Sequence, residues 1–190
     1  MSMKVVASAF HIRPETAVSA ASVERLYDRV FGPARYQKAS HRFRTGLLPI
    51  PELSWIAREG MATVGAIRCW PIRVGATGEA ALLLGPLAVA PDRRARGIGR
   101  ALVRKTLAVA AEAGHDLVML VGDRDYYERF GFVPATSYGF VMPGETQPER
   151  LQAISLQGRF LRRADGVMHR ALDPDVGAAS QRIARQSLAS

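Results

Sequence analysis

Between Leu82 and Gly99 the chain reads LLLGPLAVAPDRRARGIG, and no other stretch limits the fold as tightly. An apolar run suited to a buried strand passes into a short basic loop. The loop opens a helix at Gly97-Ile98-Gly99 and holds Arg94, Gly97 and Gly99 in the pattern R-x-x-G-x-G. Two glycines let the backbone turn so that successive N–H groups converge on one space. The helix adds the positive end of its dipole and its own unpaired N–H groups. A strand–loop–helix corner of this kind accepts a phosphate or pyrophosphate. Arg93, Arg94, Arg96 and Arg100 add formal charge around it. The chain lacks G-x-x-x-x-G-K-[ST], which argues against a P-loop. Leu102 stands where a dinucleotide fingerprint has Gly or Ala, which argues against a Rossmann site.

The chain on either side follows a regular order. Ile98 to Ala113 predicts a helix with a wide apolar stripe through Leu102, Val103, Thr106, Leu107 and Ala110, stopped at Gly114. Leu117 to Val121 reads as a short strand, parallel to the one before the loop if the helix is a crossover. Asp123 can cap a short helix over Asp125 to Phe130, closed by Gly131, with Tyr127 and Phe132 placed to touch across its end. Upstream, a first strand lies within Val5 to Arg13, mainly from Phe10. A helix over Ala20 to Val30 is capped by Ser19 or Ser22. Leu53 to Arg58, Ala62 to Arg73 and Ala80 to Val89 form an antiparallel meander, with an irregularity expected at Pro71. Gly85-Pro86 lies inside the third of these. Proline donates no ladder hydrogen bond, so a bulge or a break in pairing is expected there.

Arg94-Ala95-Arg96-Gly97-Ile98-Gly99, set between LGPLAVAP and IGRALVRKTLAVAAEAG and followed by LVGD and YYERFGF, resembles motif A of the GNAT superfamily of N-acetyltransferases. The wording is closest to the YhbS-like predicted acetyltransferases. The resemblance covers roughly residues 10 to 172 and is strongest over 82–133. It implies a mixed α+β fold: a central, mostly antiparallel sheet, flanked by helices, whose fourth strand carries a bulge and splays from the fifth. It also offers Leu151 to Leu156 and Gly166 to Leu172 as final strands, joined through Phe160 to Ala164. Residues 1–172 then form one domain, and 173–190 a mobile tail. The implied co-substrate is acetyl-CoA. Leu87, Ala88 and Val89 would border its pantetheine arm, and Arg94, Ala95, Arg96, Gly97, Ile98, Gly99 and Arg100 its pyrophosphate. Arg100 and Arg104 either reach its 3′-phosphate or only solvate the helix.

The implied chemistry is acetyl transfer from a thioester to an amine on a small molecule or peptide. The enzyme must orient the amine, take its proton, steady the oxyanion and reprotonate the thiolate. By analogy the backbone N–H of Val89 is the oxyanion donor. Tyr127, before x-x-x-G-F, is the general acid and also touches the cofactor. A phenol of pKa about 10 holds its proton at neutral pH. Tyr126 falls on another helix face, as a structural residue. No base is legible: the strand from Ala80 to Val89 has no carboxylate, and Glu79, His115, Asp123 and His41 remain candidates. The missing carboxylate also fits a non-catalytic acyl-CoA-binding module.

A net charge of +9 on 190 residues raises the question of nucleic acid. The basic residues are dispersed, without aromatic interleaving, so no nucleic-acid partner is expected. His11, His41 and His169 lack metal-ligand spacing with each other or with Cys69, so no metal is expected. The single cysteine suits a cytoplasmic chain, and its neighbours Ile67 and Trp70 mark it as a packing thiol. No apolar run reaches the ~20 residues of a membrane span. Dimers are common in the family, which leaves a homodimer open.

Overall fold

A computed structural model describes residues 10–159 and 166–171. Three expectations lie outside these residues: the start of the first strand before Phe10, the connection over Phe160 to Ala164, and the tail at 173–190. The strands are β1 (His11–Pro14), β2 (Trp55–Glu59), β3 (Ala62–Val74), β4 (Glu79–Val89), β5 (Leu117–Val121), β6 (Val133–Pro134), β7 (Phe140–Val141), β8 (Leu151–Ser155) and β9 (Gly166–Arg170). The helices are α1 (Ala17–Phe31), α2 (Ala39–Arg42), α3 (Ile98–Glu112) and α4 (Arg124–Tyr127). The main sheet runs β1-β2-β3-β4-β5-β8-β6, and β9 pairs with both β3 and β7. Every pair is antiparallel except β4–β5 and β7–β9. The β4–α3–β5 crossover accounts for the first parallel pair.

The two long helices cover opposite faces. α3 lays Ile98, Leu102, Val103, Leu107 and Ala110 on Ala57, Ile67, Cys69, Leu82, Leu84, Val118 and Leu120. It comes close because Gly65 on β3 has no side chain: a Cβ there would sit 2.6 Å from Ile98 Cγ2. α1 packs Val23, Leu26 and Tyr27 on Ile56, Ala66 and Ala88. Beyond α1 that face continues with Phe43 of the loop and Phe140 over Trp70, Ile72, Leu83 and Met119. β5 lies between β4 and β8 and is apolar along its length, as burial on both faces requires. Cys69 is fully buried, and burial pushes its thiol up to about 12, which bears out a packing role.

Two expectations are corrected. α1 starts at Ala17, because Thr16 is its N-cap; Ser19 acts from inside the first turn, where its hydroxyl accepts from the Thr16 N–H at 2.9 Å. Pro71 pairs in register with Leu82, and the irregularity lies further back along β3. There Ile67 faces Leu87 and Cys69 faces Leu84, so the single residue Arg68 opposes both Gly85 and Pro86. This is the bulge that Gly85-Pro86 predicts, and their peptide bond is cis.

Candidate active site

β4 and β5 are paired only at Leu82 with Val118 and Leu83 with Met119. Beyond these positions β4 continues to Val89 and β5 to Val121 with no further pairing between them, so a gap opens between the strands. The ladder with β3 fixes which backbone groups face it. Ala90 donates to Val64 O at 2.8 Å, and Val89, Ala88 and Leu87 face Gly65, Ala66 and Ile67. Hydrogen-bonding direction alternates along an antiparallel strand. The N–H groups of Ala88 and Ala90 therefore point to β3, and those of Leu87 and Val89 point to the gap.

The glycine corner stands at the end of this gap. Gly97 caps α3 with φ +80°, and Ala95 holds φ +61° although it carries a side chain. A non-glycine residue in that region costs about 1–3 kcal/mol, and such strain gathers at functional sites. The first helical bond runs from Ala101 N–H to Gly97 O, which leaves the N–H groups of Ile98, Gly99 and Arg100 without a helical acceptor. Ile98 itself is buried, so only its main chain can serve a ligand. A Cβ on Gly99 would lie 2.6 Å from Tyr126 Oη, 3.5 Å from Val89 Cγ2 and 3.8 Å from Leu87 Cδ2. One bare glycine thus lets α3, α4 and the free edge of β4 converge. The arginines divide. Arg93 and Arg96 reach Glu59 on β2 at 2.7 and 3.4 Å. Arg94 and Arg100 are exposed and make no ion pair among the described residues.

Asp123 caps α4 by accepting the Asp125 N–H at 3.1 Å, as the sequence predicts. The expected helix over Asp125 to Phe130 is shorter: α4 runs to Tyr127, a 3₁₀ turn covers Glu128–Phe130, and Gly131 ends it at φ +89°. Tyr127 packs edge-on against Phe132 with ring centroids 5.7 Å apart. Gly122 leaves room for its ring. Burial raises the phenol well above its ordinary pKa, and its hydroxyl makes no hydrogen bond among the described residues. It is held protonated and free to donate.

Tyr127 lines a cavity of about 580 Å³ at the opening between the strands. The rest of the lining comes from 31–44, from Leu83 to Leu87, from Val121 to Asp123 and from 144–150. Of the residues expected at a site, Leu87 and Tyr127 are brought together here. Ala88 is buried under α1, and the glycine corner with Val89 lies outside the lining, beside it. Of the candidate bases, His41 and Asp123 line the cavity. Glu79 begins β4 at its other end, and His115 lies in the α3–β5 turn. Burial, then Arg44 and Arg35, hold His41 below its ordinary pKa, so its imidazole is neutral at pH 7.

Behind this wall lies a charge network that sequence reasoning missed. Arg68, opposite the bulge, donates to both oxygens of Glu15 at 2.6 and 2.9 Å and to Glu24 at 2.5 Å. Glu24 also accepts from Arg35 at 2.6 Å. Burial opposes ionisation of Glu24, and its two arginines outweigh it, so the carboxyl titrates below its usual range. Arg68 also lies over the Tyr27 ring at 5.3 Å, and the Tyr27 hydroxyl donates to Pro86 O at 3.0 Å. One signal was present: a lone arginine inside the apolar strand GAIRCWPI, where a charge needs a partner.

Residues 51–134 match the model of an acetyltransferase (GNAT) domain. The rat N-acetyltransferase family 8 member 2 is 32% identical over 90 residues, which are 44% of this chain and 40% of the rat protein. The chain therefore spans well under half the length of that curated relative. The YhbS acetyltransferase of Escherichia coli, solved with CoA, superposes with a TM-score of 0.70 at 26% identity over 84% of this chain and 88% of that one. A GNAT acetyltransferase of Brucella melitensis, solved with acetyl-CoA, gives 0.65 at 28% identity over 87% and 99%. The model match spans the glycine corner and the solved relatives cover most of both chains, so residues 51–134 carry a match to the GNAT acetyltransferase domain within a chain that shares the fold of solved GNAT acetyltransferases.

Proposed function

We propose that this chain binds acetyl-CoA and transfers its acetyl group to an amine held in the cavity. The observation that carries the reading is the β4–β5 gap, with a glycine corner at one end and a protonated tyrosine beside it. The site fits the co-substrate. Left-handed turns at 95 and 97 and the free N–H groups of 98–100 suit a pyrophosphate. Arg94 and Arg100 have charge to spare. The N–H groups of Leu87 and Val89 suit an amide arm laid along β4 as a further strand would lie.

Acetyl-CoA supplies an activated acyl carbon, and the chain positions groups and moves protons around it. His41 takes the proton from the ammonium form of the acceptor, directly or through water. Asp123 is occupied as a helix cap. The Val89 N–H stabilises the oxyanion as the amine adds to the carbonyl carbon. As the C–S bond breaks, Tyr127 donates its phenolic proton to the thiolate, and the amide product leaves.

Calorimetric titration with acetyl-CoA, paired with an amine panel read by thiol release, tests this. Micromolar binding and turnover are expected. Tyr127→Phe is expected to lower kcat about 100-fold with the acetyl-CoA Kd within about twofold. Tight binding without turnover of any amine would favour a non-catalytic acyl-CoA module. No binding by folded protein would overturn the reading.

A further inference from the structure

The cavity holds a cation that this chemistry does not use. Four cations line it: Arg35, Lys38, Arg44 and Arg150. Arg35 is engaged by Glu24 at 2.6 Å and Asp28 at 3.0 Å. Lys38 lies over the Phe31 ring at 5.6 Å, and Arg150 donates to the Gln147 side chain at 3.3 Å. Arg44 differs from them. It is half-buried, and its only partners among the described residues belong to Ser40: the carbonyl at 2.9 Å from Nε and the hydroxyl at 3.2 Å from Nη2. Among the described residues no carboxylate lies within ion-pair distance. The two carboxylates in the lining are taken by the main chain, Asp123 by Asp125 N–H at 3.1 Å and Glu145 by Gln147 N–H at 3.0 Å. Burial pushes the Arg44 guanidinium down to about 10, and Arg35 and Arg68 add repulsion that Glu24, without pairing to it, offsets only in part.

The same molecule shows how a buried arginine is otherwise treated. Arg68 has two carboxylates, one gripping it with both oxygens. A desolvated guanidinium with spare donors and no carboxylate paired to it is a costly group to keep. It is also the group best shaped to grip a carboxylate with two parallel hydrogen bonds. His41 is three residues earlier and lines the same cavity. Side chains so spaced on a turn stand about 5–6 Å apart at Cβ. An anchor for an acid and an acceptor for an amine proton therefore sit side by side.

We infer that Arg44 anchors a carboxylate of the acceptor, so the molecule acetylated carries an acid next to its amine, as an α-amino acid does. This rests on the transferase reading above and narrows it to a substrate class.

The test uses matched trios: an L-amino acid, its amide and its decarboxylated amine, with phenylalanine, methionine and leucine as side chains. Transfer is read by thiol release, and acetyl-CoA binding is measured on the same protein. The free acid is expected to exceed its amide in kcat/KM by about tenfold or more. Arg44→Gln should collapse that ratio, and Arg44→Lys should retain part of it. Amides or decarboxylated amines turned over as well as the acids would overturn the inference and leave the transferase reading standing. Failure to bind acetyl-CoA would remove both. If acetyl-CoA binds and none of these amines is turned over, N-acetyl amino acids and their methyl esters are titrated into the CoA-bound wild type. Binding of the acids alone supports the inference; equal binding, or none, overturns it.

Discussion

The two walls of the cleft are built by opposite means. On the α3 side the contacts come from one continuous stretch, Leu82 to Arg100, and most of the useful atoms belong to the main chain. On the α1–α2 side Glu15, Glu24, Arg35, Arg44 and Arg68 come from separate elements. Arg68 reaches Glu15 across 53 positions of sequence. The first wall depends on where a Cβ is absent and where φ is positive. The second depends on balanced charge in a place with little water. The same kind of substitution should therefore fail differently on each side: a change of shape damages ligand binding on one, and a change of charge damages stability on the other.

Glu15→Ala makes the sharpest case. Both partners of the Glu15–Arg68 pair are nearly closed to solvent, with side-chain exposures of 8% and 11%. Removing one partner of a buried pair strands the other, and Arg68 would keep only the half-exposed Glu24. A loss of about 3 kcal/mol in urea unfolding is expected. Acetyl-CoA affinity of the protein that remains folded should move little. A loss below about 1 kcal/mol would mean that water reaches Arg68, and the contrast between the walls would fail on its stability side.

Gly97→Glu breaks the other wall. Any side chain at φ +80° is strained, and a Cβ there comes 3.4 Å from the movable end of Arg100. Gly97→Ala carries the same strain without the charge, so the pair of variants separates the two effects. Both should lower the melting temperature alike. Acetyl-CoA affinity, by calorimetry, is expected to fall on the order of a hundredfold in the glutamate variant and much less in the alanine one. Equal losses would make the corner a structural turn rather than an anion site.

The same division explains what the sequence made legible. The corner, α3, β5 and the α4 stop are local: glycine spacing, an apolar stripe and a cap residue each act within a few positions. The bulge at Gly85-Pro86 was legible because proline cannot complete a ladder wherever its strand lies. The β4–β5 separation was legible only through family resemblance, since pairing that ends at Leu83 leaves no mark on composition. β6 and β7, two residues each, are too short to carry periodicity and exist because β8 and β9 offer them edges. The β9–β3 pairing and the Arg68 network join residues with no local signal. His41 was legible only as one of four candidate bases and Arg44 only as part of a dispersed basic surface, and what sets them apart is which groups do and do not surround them.

His41→Gln acts at a smaller scale. Burial and two arginines lower its pKa, so the folded protein releases this proton below the ordinary 6.5. The basic form is then complete at pH 7 and is lost as pH falls through that lowered value. Wild-type kcat is expected to show an acidic limb below pH 6.5. Glutamine keeps the size of the side chain and cannot take a proton. The variant should lose about tenfold or more in kcat at pH 7 and lose the limb. A limb that survives would pass the role to Asp123.

Tyr27→Phe gives the smallest effect and tests whether the two walls communicate. The Tyr27 ring is fully buried on the charge-network side, and its hydroxyl reaches Pro86 O in the bulge that turns β4 toward the gap. Phenylalanine keeps the packing and the face presented to Arg68, so only that hydrogen bond is removed. Stability should fall by about 1 kcal/mol, the usual net value of such a bond. If the bond merely satisfies a buried hydroxyl, kcat and acetyl-CoA affinity will stay within about twofold. If it also holds the bulge in register, the N–H groups of Leu87 and Val89 lose their aim, and kcat will fall while affinity at the glycine corner does not. We expect the second result, with a three- to tenfold loss in kcat on the order of 1 kcal/mol in the barrier. The bulge is where a wall made of charge meets a wall made of backbone, and Tyr27 is the side chain that touches both.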